Sequence, residues 1–168
     1  MGKKYYLTPP TGLKIRWVGT VDFMELYRFM KNWLEDRGYV NDDQKLELKF
    51  IERRSGTAKM NEIAWHGEHV VSEYFKYNLD VTFLLIGLTE TDAQIGDVKK
   101  KLDKGDFEIK LVSNVEITDD KWEGYSLLKK IYFNLVARKR LPAYKREIYG
   151  KTYEFQDAIK EFFALRRF

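Results

Sequence analysis

From Phe75 to Leu85 every second residue is apolar. Phe75, Tyr77, Leu79, Val81, Phe83 and Leu85 alternate with Lys76, Asn78, Asp80 and Thr82. A period of two over this length is that of a β-strand with one buried and one wet face, and such strands belong to antiparallel sheets. A lone strand buries nothing, so neighbours must be found in the flanking sequence. Leu46, Leu48 and Phe50 alternate with charges, Ser55-Gly56 marks a reversal, and Met60 to Trp65 supplies a return strand. That is a hairpin pattern. Asp103-Lys104-Gly105-Asp106 has turn chemistry. It predicts a second hairpin, between a strand ending near Leu102 and one carrying Phe107, Ile109, Leu111, Val115 and Ile117. Upstream, Leu13, Ile15 and Trp17 alternate with Lys14 and Arg16 after Pro9-Pro10-Thr11-Gly12, which adds a first strand behind a short arm.

The period changes at two places. Phe23, Leu26, Tyr27, Met30, Trp33 and Leu34 recur at helical spacing, with Asp22 and Glu25 at capping-box distance and Gly38 as the stop. Asp120 and Glu123 repeat the capping spacing, and Trp122, Tyr125, Leu128, Tyr132, Leu135 and Val136 trace a helical face up to Arg140. Pro142 is expected to end or bend that helix, and a last helix runs from about Lys151 through Phe155, Ile159, Phe162 and Phe163. The sequence therefore predicts an α+β fold. An antiparallel sheet of about five or six strands packs against an N-terminal helix and a long C-terminal helix, followed by a final C-terminal helix. With 168 residues and no cysteine, one core of this size needs no disulfide. The organisation expected is a single domain over residues 1–168. An arm covers 1–12, an α+β body 13–140, and a basic, aromatic helical extension 141–168.

The order strand, helix, antiparallel strands, long helix over residues 13–140 resembles the helix-grip fold of the START and Bet v 1-like proteins. The resemblance rests on element order, and the final helix after Pro142 departs from its simplest version. It implies a curved sheet wrapped around a C-terminal helix, with an internal cavity that takes an apolar small molecule or serves a chaperone-adaptor role. In this sequence the cavity would be lined by Phe75, Tyr77, Leu79, Val81 and Phe83 of the sheet and Tyr125, Leu128 and Tyr132 of the long helix.

Catalytic signatures are missing. No cysteine stands as nucleophile or thiolate ligand, no glycine-rich phosphate loop has P-loop or Rossmann spacing, and no Gly-x-Ser-x-Gly elbow occurs. An enzyme would need a site assembled from residues distant in sequence. No cofactor is implied. His66 and His69, the two histidines, have a spacing that in a turn or helix places two imidazoles on one metal, with Glu62 or Glu73 completing the set. On a strand, residues three apart face opposite ways, and the alternative is a pair of surface histidines. The acid pairs Asp42-Asp43 and Asp119-Asp120 stand at element starts, where carboxylates complete caps.

Charge is the most directional clue. Residues 129–168 hold eleven Lys or Arg against Glu147, Glu154, Asp157 and Glu161, a balance of +7, so with a net charge of +4 the remaining 128 residues total −3. Such asymmetry is the footprint of an anionic partner. Its densest piece runs from Arg138, Lys139 and Arg140 to Tyr144, Lys145 and Arg146. Nine aromatic residues share the same forty positions, and cations interleaved with Tyr and Phe suit single-stranded nucleic acid. The reading is a non-enzymatic binding protein whose partner is a nucleic acid, a ribonucleoprotein or another acidic surface. Two other arrangements use the same residues. The aromatics turn inward and the cations solvate an outer face, or the apolar face of Phe155, Ile159, Phe162 and Phe163 docks on a membrane or a neighbouring subunit. The oligomeric state is left open by the sequence. No run of about 18 apolar residues and no apolar N-terminal leader is present, and a cytoplasmic location is expected.

Overall fold

The computed structural model describes residues 2–40, 45–118 and 127–166. Among these run six strands, β1 (Lys3–Tyr6), β2 (Leu13–Val21), β3 (Glu47–Ser55), β4 (Ala58–Val70), β5 (Phe75–Ile95) and β6 (Val98–Ile117). Two helices accompany them, α1 (Phe23–Asp36) and α2 (Leu127–Leu165). The fold is α+β, as the alternating periods require. Every pairing is antiparallel, in the order β1-β6-β5-β4-β3, with β2 also on β6. The last four strands form a meander. The first two return to its far edge, β1 opposite Asn114–Ile117 and β2 opposite Asp103–Leu111. Pro9 and Pro10 lie in the break between β1 and β2, where the absence of an N–H on proline interrupts the ladder.

One face of the sheet is apolar and carries both helices. From β5 it presents Phe75, Tyr77, Leu79, Val81, Phe83 and Leu85, and from β6 Phe107, Ile109, Leu111 and Val115, all buried. α1 begins at Asp22, whose carboxylate accepts the Glu25 N–H at 3.1 Å. It ends where the N–H groups of Gly38 and Tyr39 return to the carbonyls of Glu35 and Leu34, both at 3.0 Å. Its buried side, Phe23, Leu26, Met30, Trp33 and Leu34, is the stripe that the 3.6-residue period marks. α2 lies beside it. Trp33 stacks on Phe155 with centroids 4.4 Å apart, Phe29 meets Phe162 at 5.2 Å, and Arg166 pairs with Glu25 at 2.8 Å.

Two local expectations are overturned. β6 runs without a turn through Asp103-Lys104-Gly105-Asp106, because Asp103, Lys104 and Asp106 are paired on both sides, Asp103 with Val21 and Glu90, and Gly105 is paired with Gly19. The glycine serves close approach instead. A Cβ at position 105 would stand 2.9 Å from the Ile86 carbonyl, beside the register shift between Ile86 and Thr89. The reversal occurs at Gly96-Asp97, where Gly96 takes φ +62° between the paired Ile95 and Val98.

The second correction concerns Pro142. It neither ends the helix nor separates a final one, and α2 continues from Leu127 to Leu165 with Pro142 inside it. Proline removes one helical hydrogen bond, at about 3 kcal/mol in an exposed interior position. Tertiary packing outweighs that loss. Ala137, Ile148, Thr152, Phe155, Ile159 and Phe162 form a buried stripe that crosses the proline at helical spacing. Thr152 Oγ1 adds hydrogen bonds to the Ile148 carbonyl (2.7 Å) and to Ser113 Oγ of β6 (2.9 Å).

Candidate functional site

α2 divides into two halves along its length. Its second half is core: Phe155, Ile159, Phe162 and Phe163, a face that could otherwise serve a membrane or a neighbouring subunit, are buried against α1 and the sheet. Its first twenty residues, 127–146, contain Lys129, Lys130, Arg138, Lys139, Arg140, Lys145 and Arg146 and no acidic residue. The first carboxylate beyond them is Glu147. It is already engaged, accepting the Tyr77 hydroxyl at 2.9 Å and pairing with Lys151 at 2.8 Å. The ammonium of Lys151, then the Tyr77 hydroxyl, hold the Glu147 carboxyl below its ordinary range despite its partial burial. Burial, reinforced by Glu147, pushes the Tyr77 phenol well up.

Arg138, Lys139, Arg140 and Arg146 are exposed and have no ion-pair partner among the described residues. This contrasts with the sheet, where Arg16 pairs with Asp106, Lys49 with Glu62, Lys76 with Glu68 and Lys100 with Asp22. Helical periodicity places Lys139 and Arg146, seven residues apart, on one side of α2, with Tyr132 seven residues before them. Lys145 is turned partly inward, its ammonium 4.2 Å from the centre of the Tyr5 ring. Tyr144 is not available for stacking on a base. Its ring packs at 4.8 Å on Phe75 and 6.2 Å on Tyr77. Among the described residues of this region the exposed rings are Tyr132 and Tyr149, two of the nine aromatics that share the basic quarter.

Among the described residues, those expected to line an apolar cavity are divided between the packed interior and the surface. Phe83 is enclosed by Trp65 (4.7 Å), Phe23 (6.2 Å) and Tyr27 (6.4 Å), and Tyr77, Leu79 and Val81 are likewise buried. Leu128 is 77% exposed and Tyr132 56% exposed, while Tyr125 lies outside the described residues. Phe75 and Tyr132 do meet, in the wall of a cavity of about 140 Å³ between α2 and the Ser72–Phe75 turn. That volume is below the roughly 300 Å³ of ordinary small-molecule sites.

His66 and His69 are on opposite faces of β4, as residues three apart on a strand must be. His66 Nδ1 is 2.5 Å from Asp80 and its Nε2 is 3.1 Å from Glu68, and these two carboxylates, Asp80 first, raise its pKa against the opposing effect of burial. His69 Nδ1 instead meets the Gly38 carbonyl at 3.0 Å. The two imidazoles do not share a site, and no group of three or more metal-ligating side chains converges among the described residues. Asp42, Asp43, Asp119 and Asp120 lie outside the described residues.

Comparison of the chain with protein-family models, with curated proteins and with solved structures finds no match. Function must be read from the geometry. Among the described residues no helix is long and apolar enough to cross a membrane.

Proposed function

We propose that this chain is a non-enzymatic, cytoplasmic binding protein that holds single-stranded nucleic acid, RNA foremost, along the first half of α2. The observation that carries the reading is the run 127–146, with seven cations and no acid, in which the exposed heads of Arg138, Lys139, Arg140 and Arg146 have no ion-pair partner among the described residues. Phosphates neutralised by such groups release counterions, which drives binding without sequence specificity. Tyr132, on the side of Lys139 and Arg146, offers a π-face to an unpaired base. The packed second half of α2 anchors this surface to the sheet, so the cations are displayed on a fixed rod.

One observation favours a second partner. Leu127, Leu128, Ile131 and Leu135 are exposed just before the basic cluster, and an apolar stripe beside cations suits an anionic lipid surface. The two readings separate in one experiment. Fluorescence anisotropy with a labelled 20-nucleotide RNA, and co-sedimentation with phosphatidylserine vesicles, are compared for the wild type, for R138Q/K139Q/R140Q and for L128S/L135S. The nucleic-acid reading requires RNA binding that the charge variant weakens and the leucine variant leaves intact. Vesicle binding lost in the leucine variant, with no RNA binding at low salt, refutes it in favour of the lipid surface.

A further inference from the structure

A second concave site lies on the apolar side of the sheet, away from the basic run. It is a cleft of about 530 Å³ between the first turns of α1 and the ends of β3, β4, β5 and β6. This is within the usual range for a small-molecule site. Phe23 and Tyr27 of α1 and Phe50 of β3 supply an aromatic wall. Opposite them stand carboxylates from three strands, Glu47 and Glu52, Glu90 and Asp103, with one cation, Lys101, in the same lining.

These carboxylates are not equivalent. Glu90 is paired with Lys59 and Lys101, both at 3.5 Å, and Glu52 with Arg54 at 2.7 Å. Glu47 and Asp103 have no ion-pair partner among the described residues. Glu47 Oε2 accepts the Tyr27 hydroxyl at 2.5 Å, and burial, then that bond, pushes the phenol up to about 12. Asp103 sits at the start of α1 and accepts the Phe23 N–H, yet burial holds its carboxyl above the ordinary aspartate range. Two acids without an ion-pair partner, facing a partly apolar space, can take a further counter-charge, although Lys59 already acts on Asp103 from beyond ion-pair distance.

An independent observation points to a missing ligand. Asn61 of β4 lines the same cleft, is only 7% exposed, and its Oδ1 has no hydrogen-bond partner. A buried amide oxygen left unmade costs about 1–3 kcal/mol, and sites that bind polar ligands carry such groups. Its requirement is a donor, which an ammonium supplies. A metal ion is the poorer fit. Among the described residues no three acidic or histidine side chains gather closely enough to share one.

We propose that this cleft binds a small organic cation, an ammonium group carrying an alkyl or aromatic body. Glu47 and Asp103 supply the negative charge of the cleft and Asn61 a free acceptor, while Phe23, Tyr27 and Phe50 form the wall on which the body lies. Attraction to the aromatic faces adds to the ion pairing. The site is separate from the α2 surface and does not depend on it.

The test is isothermal titration calorimetry of the full chain with tryptamine, phenethylamine and spermidine, and with tryptophol as the neutral counterpart of tryptamine. At least one ammonium compound is expected to bind with Kd below about 1 mM. Tryptophol is expected to bind at least about tenfold more weakly than tryptamine. E47Q and D103N should each weaken the best cation about tenfold, with R138Q as the unaffected control. Should D103N fail to fold, E47Q, on the β3 wall away from the helix start, carries the test. The proposal is overturned if no ammonium compound binds at about 5 mM, if tryptophol binds as well as tryptamine, if E47Q retains full affinity, or if equimolar Mg²⁺ displaces the cation.

Discussion

Replacing Phe155 by alanine perturbs the joint that holds α2 to the rest of the molecule. The ring is fully buried and stacks on Trp33 at 4.4 Å with planes 27° apart, so the substitution removes both apolar burial and an aromatic pair. Truncation of a buried Phe costs about 3–5 kcal/mol, and a stacked pair is worth about 0.5–1.5 kcal/mol beyond its area. For a chain of this length each kcal/mol lowers Tm by about 2–4 °C, so a fall of about 7–26 °C is expected. The same truncation at Tyr132, exposed on the first half of α2, should change stability by less than about 0.5 kcal/mol. Urea denaturation followed by far-UV circular dichroism measures both, and the two variants should share the wild-type m-value. If Phe155→Ala leaves the midpoint unmoved, or Tyr132→Ala costs as much, the division of α2 into a packed half and a displayed half is wrong.

Pro142→Ala should raise stability by about 1–3 kcal/mol, because the helix passes through this exposed position and regains a hydrogen bond; a drop in Tm would mean that the proline is required for a bend. Gly105→Ala should destabilise by about 1–3 kcal/mol, since the new Cβ meets the Ile86 carbonyl, whereas a neutral result would place a loose turn there. His66 should titrate above its ordinary value near 6.5 in proton NMR, and Asp80→Asn should bring it back down. Because the folded pKa is the raised one, the stability that this contact gives is fully present below the unfolded value. It is lost as the pH rises through the folded pKa, so the gap between wild type and Asp80→Asn should narrow on going alkaline.

Elements whose residues repeat one environment are legible in the sequence alone. The alternation of Phe75 to Leu85 and the stripe of α1 each repeat a single face many times, and both stand where the periods place them. Isolated punctuation is ambiguous. Gly105 has the chemistry of a turn, but glycine answers equally to a close approach of another backbone, and the Ile86 carbonyl is distant in sequence. Pro142 has the chemistry of a stop, yet the stripe from Ala137 to Phe162 is set by contacts with α1 and β6 that no local window contains. The basic run is visible as charge. That Tyr144 points inward while Tyr132 points out depends on where Phe75 lies, which only the fold decides. The acidic cleft leaves no linear trace, because Tyr27, Glu47, Asn61 and Asp103 come from four separate elements.

The most direct test of the basic surface is the salt dependence of RNA affinity. Each single-strand phosphate contact contributes about 0.7 to the slope of log K against log salt. Removing the three charges at Arg138, Lys139 and Arg140 should therefore flatten that slope by about 2 and weaken binding at low salt, with Tm unchanged. An R138Q/K139Q/R140Q variant with the wild-type slope, or a wild type that binds no RNA at about 50 mM salt, contradicts the assignment of α2 as a nucleic-acid-binding rod.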